Sequence, residues 1–181
     1  MINNEVSNKE VLETKEVLET KEGNEVNNVG GKIPAKRVDI VSLKMVREGS
    51  VLYKNRKVGS PNDAVALIQD FLEDADREKF VVAYLNNRHE PTAIHTVSIG
   101  TLSSSLVHPR EVMKAAILSN AKAMLLSHNH PSGWDVNPSD EDINITKRLV
   151  EAGKIIGIEI LDHVIIGENG KYYSFKEEGR L

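Results

Sequence analysis

The sequence predicts an α/β domain, a sheet with helices packed on its faces. Apolar runs of strand length at 80–85, 121–126 and 155–161 recur along the chain, and segments with apolar residues at helical spacing separate them. A length of 181 residues with 40% hydrophobic content bounds the answer to one globular domain with an appendage.

Residues 1–31 form the appendage. Glu10-Val-Leu-Glu-Thr-Lys15 repeats unchanged as Glu16-Val-Leu-Glu-Thr-Lys21 before the segment gives way to asparagine and glycine. Two hexads cannot build a solenoid, and a hexad drifts against the 3.6-residue helical period. Seven glutamates against three lysines leave a net charge of minus four, which fits a solvated, disordered acidic tail. From 32 to 59 the charge changes sign, with eight basic residues against Asp39 and Glu48 up to residue 57. Val38 to Val46 and Ser50 to Tyr53 alternate as strands do, so this lead-in reads as a basic, β-ribbon-like edge. DNA contact through 32–57 is the alternative, although Tyr53 is the only aromatic there for stacking.

The domain proper is assigned to 60–181. Ser60-Pro61-Asn-Asp63 opens a helix whose apolar face is Ala64, Leu67, Ile68, Phe71 and Leu72. The run 80–85 and the run 92–99 flank a turn at 86–91, the pattern of a hairpin. A polar loop at 100–106 leads to a helix over 108–119, with Pro109 in its first turn. His108 reads as a structural residue at that boundary, while Arg110 and Ser103 to Ser105 are open to substrate. After 121–126 comes an irregular stretch, then a helix over 140–152 with Gly153 at its C-terminal end. Strands follow at 155–161 and 164–166, with Asp162-His163 interrupting them. That histidine reads as hydrogen-bonded and structural, or as a partner orienting a metal ligand. Glu168-Asn-Gly170 turns the chain into a last strand at 171–175.

The chemistry concentrates in Ser127 to Asp142. His128 and His130, spaced i, i+2 at a strand end, point to the same side of the sheet and converge on one ion. Asp142 offers a third ligand, and two imidazoles with one carboxylate leave a fourth position open, as in a hydrolytic rather than a structural zinc site. Ser139-x-x-Asp142 is also a helix capping box, so Ser139 both caps and is available to substrate.

His128-x-His130-Pro131, a short loop, then Pro138-Ser139-x-x-Asp142 resembles the JAMM motif of MPN domains. Val107-His-Pro-Arg-Glu-Val112, Ser127-His-Asn-His-Pro-Ser-Gly133 and Leu161-Asp-His-Val-Ile-Ile-Gly167 resemble the bacterial RadC branch, also found on mobile elements. The resemblance implies the MPN (JAB/JAMM) fold, a mixed sheet flanked by helices with a cytidine-deaminase-like layout. It implies a Zn2+ held by His128, His130 and Asp142, and Glu78, at the start of the strand preceding the histidines, as general base. Ser139 would hydrogen-bond the oxyanion. The implied reaction is hydrolysis of a peptide or isopeptide bond in a peptide or protein substrate, through a zinc-bound hydroxide. The loop after His130 is one residue longer than the family's usual spacing, so strict counting puts Glu141 on the ligand position. The Pro-Ser pair has shifted together with Asp142, so the loop absorbs the insertion and Asp142 is the expected ligand.

Two other classes compete. RadC-like proteins carry a DNA-repair label, which implies an accessory protein or nuclease at DNA, and some MPN domains are non-catalytic interaction modules. Residues 1–59 do not read as the helix-hairpin-helix region of full-length RadC proteins, which counts against DNA, and a retained ligand set counts against the module. Deaminase chemistry is excluded because no cysteine exists for Pro-Cys-x-x-Cys, and no His-Glu-x-x-His helix occurs. The absence of cysteine suits a reducing cytoplasm. No signal peptide or membrane span is read, and oligomeric state is not encoded in any pattern found.

Overall fold

The computed structural model describes residues 35–72, 75–100, 107–130 and 135–181. The acidic hexads and Ser103 to Ser105 lie outside these residues. The chain divides at Ser42 and Leu43, and the fold described below belongs to the unit from Leu43 to Leu181.

Helix α1 spans Pro61–Leu72, β1 Lys79–Leu85, β2 Pro91–Ile99, α2 Pro109–Leu118, β3 Ala123–Asn129, α3 Asp140–Ile156, β4 Glu159–Ile166 and β5 Tyr172–Ser174. The five strands form one sheet in the order β2-β1-β3-β4-β5. β1 runs antiparallel to β2 and to β3, β3 runs parallel to β4, and β5 returns antiparallel. The sheet is therefore mixed, as expected, and the β3-α3-β4 crossover supplies its one parallel pair.

Strand periodicity explains the layers. In β1, Val81, Ala83 and Leu85 join Leu125 and Val164 in a core covered by α1, through Leu67, Ile68 and Leu72. Phe80, Val82 and Tyr84 face the other way and join Met124 and Leu126 beneath α2 and α3, through Val112, Ala116 and Leu149. Both faces of β1 and β3 are buried, which is why those runs are continuously apolar rather than alternating. Asn86 shapes the β1-β2 hairpin, its Oδ1 accepting from the amides of Arg88 and Glu90 at 2.8 and 3.0 Å. No described helix is long and apolar enough to cross a membrane.

Four expectations are corrected. Residues 35–53 carry no strand or helix, so the alternation read at 38–46 and 50–53 builds no ribbon. The domain also starts earlier than residue 60: Val58 is buried, and its amide donates to the His89 carbonyl at 2.9 Å. Strand pairing at 164–166 is not separate from the preceding run, because β4 passes unbroken through Asp162 and His163. Asp162 stays in the strand because its carboxylate accepts from the His163 amide, the Ser174 hydroxyl and the Lys176 amide at 2.7, 2.6 and 3.0 Å.

The fourth correction concerns Gly153. It does not end α3, which continues to Ile156 and is capped by Gly157 in the left-handed region at φ 82°. Gly153 instead lets β4 enter close beside the helix: a Cβ there would lie 2.4 Å from the Ile158 carbonyl oxygen. That obstacle is backbone and cannot swing aside. Gly153→Ala should therefore destabilise the fold by roughly 1–3 kcal/mol, the usual cost of overpacking. The measurement is the urea midpoint at unchanged slope; a midpoint equal to wild type would mean that α3 and β4 separate freely.

Candidate metal centre

His128 lies on the last turn of the β3 pleat, on the face shared with Met124 and Leu126, and is fully buried. That face looks toward the N-terminus of α3, where Asp142 sits in the first turn. His130 follows two residues later, just past the strand, so both imidazoles fall on one side as their spacing predicts. His128 Nε2 lies 3.2 Å from His130 Nε2 and 3.2 Å from Asp142 Oδ1, and His130 Nε2 lies 3.6 Å from Asp142 Oδ2. A tetrahedral ion with ligands at about 2.0–2.1 Å has edges of about 3.3 Å, so the two imidazole nitrogens and the two oxygens of the carboxylate already stand near ligand spacing. Among the described residues they form the one group of this kind, with side-chain exposures of 0, 21 and 13%. Glu141, the residue that strict motif counting favours, is exposed and outside the group.

Helix capping places Asp142. Ser139 is the N-cap, its Oγ accepting from the Asp142 amide at 3.2 Å, while Asp142 Oδ2 accepts from the Ser139 amide at 2.8 Å and hydroxyl at 2.7 Å. One side chain, Asp142, thus closes the capping box and stands among the candidate ligands. His130 Nδ1 lies 2.8 Å from the Asp135 carbonyl, which can only accept; Nδ1 therefore carries the proton and Nε2 faces the site.

Glu78 immediately precedes β1 and is half-buried. Phe80 pairs with His128, so continuing the register brings Glu78 level with His130. Its charge reaches that ring, adding to the rise in the His130 pKa. Asn129, the residue between the two histidines, holds this stretch in place. Its Oδ1 accepts from the Lys79 amide at 2.8 Å and its Nδ2 donates to the Arg77 carbonyl at 3.1 Å, gripping the backbone on either side of Glu78. The motif's central asparagine was not singled out from sequence, and its signal is its place in the strand: an odd position faces away from the histidines.

Behind His128 lies a second buried histidine. His163 Nε2 is 2.8 Å from His128 Nδ1, and its Nδ1 is 2.6 Å from the Thr146 hydroxyl. Phe80 stacks on His128 and Phe175 stacks on His163, closing the inner side of the site to water. His108 is structural as expected, its Nδ1 accepting from the Arg110 amide at 3.1 Å to cap α2. Arg110 pairs with neighbouring Glu111 at the surface and does not join the centre.

The electrostatics follow from this packing. Burial raises the Asp142 carboxyl, but hydrogen bonds from His128 and His130 in their doubly protonated forms, and from Ser139, outweigh it and hold the group far below the usual carboxylate range. The hydrogen bond to Asp142 raises His130 against the opposing effect of burial. His163 is pushed well below the ordinary histidine value, first by burial and then by the neighbouring His128 charge. In Asp142→Asn the acceptor charge on His130 is gone while the burial remains, so the His130 pKa should fall in metal-free protein. An NMR titration of the ring would show this, and an unmoved pKa would mean that Asp142 does not govern His130.

The comparisons agree with the motifs. Residues 58–180 match the family model described as RadC-like JAB domain. A UPF0758 protein of Desulforamulus reducens is 46% identical over 160 residues, covering 87% of this chain and 70% of that protein. One from Methanosarcina mazei is 42% identical over 155 residues, covering 86% and 67%. One from Alkaliphilus metalliredigens is 52% identical over 125 residues, covering 69% of this chain and 53% of that protein. With the family model spanning most of the chain and the histidine-lined edge of β3 at its centre, the chain belongs to the RadC-like JAB domain family.

Proposed function

We propose that this domain is a zinc-dependent hydrolase of the JAMM type that cleaves a peptide or isopeptide bond. The observation that carries this reading is the spacing of His128 Nε2, His130 Nε2 and a carboxylate oxygen of Asp142, all within 4.8 Å of one another at the partly open end of a buried wall. Three acceptors so close repel unless a positive charge lies among them. Two imidazoles and one carboxylate suit zinc and leave one position free, and a bound ion would supply an acidified water as nucleophile near neutral pH.

The remaining work falls to the chain itself. Glu78, level with His130 when the β1-β3 register is continued, would take the water's proton and return it to the leaving amine, a contribution of about 10²–10⁴-fold. Ser139 borders the same carboxylate and has the hydroxyl that can meet an oxyanion. Phe80 and Phe175 keep the inner side dry, which strengthens these interactions.

Metal content of protein purified without added metal tests the first half of the proposal. Wild type should carry about one zinc per chain and His130→Ala should lose it. A wild type without zinc, even after incubation with it, would leave a non-catalytic interaction module as the better reading. The second half is tested by Glu78→Gln in a screen of fluorogenic peptides and isopeptide-linked conjugates. The variant should keep its zinc and lose about 10²–10⁴ in turnover, whereas full activity would remove Glu78 as the base.

A further inference from the structure

The chain of contacts behind His128 fixes where its protons lie. Asp142 contributes a backbone carbonyl, which can only accept, and the Thr146 hydroxyl lies 2.6 Å from it. A hydroxyl has one proton, so that proton is committed to the Asp142 carbonyl. Thr146 Oγ1 then meets His163 Nδ1, 2.6 Å away, as an acceptor, and His163 must carry its proton on Nδ1. The His163 ring is fully buried between Phe80 and Phe175, and neither of its nitrogens meets a carboxylate, so it holds a single proton and its Nε2 is bare. A bare Nε2 at 2.8 Å from His128 Nδ1 requires His128 to donate from Nδ1. The His128 Nε2 lone pair is left facing His130 and Asp142.

We propose that Thr146 and His163 are positioning residues that set the tautomer of His128 and so present its Nε2 to a metal ion. The inference rests on the metal reading above and deepens it. The relay begins and ends on ligands: it starts at the Asp142 backbone in α3, crosses β4 at His163 and arrives at His128 in β3. It therefore ties the two protein segments that supply ligands to one another, besides orienting a ring. A merely structural histidine would satisfy its nitrogens with any partners; here each bond leaves the next residue one choice.

Thr146→Val keeps the shape of the side chain and removes the hydroxyl. His163 then loses the acceptor for Nδ1–H and shifts its proton to Nε2, which drives the His128 proton onto the nitrogen that should hold the metal. Zinc affinity, read by competition with a chromophoric chelator at one fixed pH, should fall about 10–100-fold, the usual effect of losing a partner that orients a ligand. Thr146→Ser restores the hydroxyl and should bind as wild type does. Long-range 1H–15N correlation spectra of metal-free protein give an independent readout: wild type and Thr146→Ser should show protonated Nδ1 on both His163 and His128. Wild-type affinity in Thr146→Val, or a protonated Nε2 on His163 in wild type, would overturn the proposal. If Thr146→Val fails to fold, the wild-type spectrum decides alone. If wild type binds no zinc, the metal reading fails, and the same spectrum still shows whether the relay exists.

Discussion

A fully buried imidazole at the end of β3 is the constraint on which the rest of the structure depends. His128 has no access to water, so each of its nitrogens needs a protein partner or an ion, and an unsatisfied one would cost about 1–3 kcal/mol. One nitrogen is met from behind by His163, and the other looks out at His130 and Asp142. The two sides make different demands on the fold. The inner side needs β4 to carry a histidine through the core, with aromatic rings stacked over it; the outer side needs a helix to begin where a carboxylate reaches the ring.

Both demands are met by the β3-α3-β4 crossover. β3 and β4 lie parallel and adjacent, with His128 opposite Ile165 in register, so a side chain on β4 can reach one on β3 from within the sheet layer. The helix between them must start near the end of β3, and its first turn is where the acidic Asp140, Glu141 and Asp142 are favoured by the unpaired amides and the helix dipole. Glu78 joins from the other side because β1 runs antiparallel to β3, so the beginning of one strand meets the end of the other. The topology thus gathers three segments distant in sequence at one end of the sheet.

Much of this was legible in the residues. The apolar runs of β1 and β3 mark strands buried on both faces, and the i, i+2 histidines fall on one side because the strand period is two. Asp142 rather than Glu141 was legible through Ser139, since a capping box fixes which residue in the first turn faces back toward the cap. The misreadings have physical causes. Gly153 looked like a helix end because glycine is common there, whereas what it provides is space for a carbonyl of the next strand, a tertiary contact with no local signature. Asp162-His163 looked like a break in β4 because polar residues interrupt an apolar run, yet a fully hydrogen-bonded polar pair is as compatible with a central strand as an apolar one. Thr146 falls at the helical spacing of Ile143, Leu149 and Val150, and nothing local marks its hydroxyl, which meets His163 only in the folded chain. The lead-in at 38–53 alternates like a strand, but alternation without a partner edge makes none.

Under the proposed mechanism Ser139 would combine a structural and a chemical duty in one residue, and its cap contacts allow this. Its hydroxyl has a single proton, directed in this structure at Asp142 Oδ2, so serving an oxyanion requires that bond to be released. The cap survives the release because Asp142 Oδ2 also accepts the Ser139 backbone amide at 2.8 Å, and the hydroxyl oxygen still accepts from the Asp142 amide. A helix start held by two reciprocal backbone contacts leaves the third, the hydroxyl donor, free to turn. Under that mechanism a serine suits this position better than an aspartate, which would cap equally well: an ionised carboxylate has no proton to offer and would set a second negative charge beside Asp142.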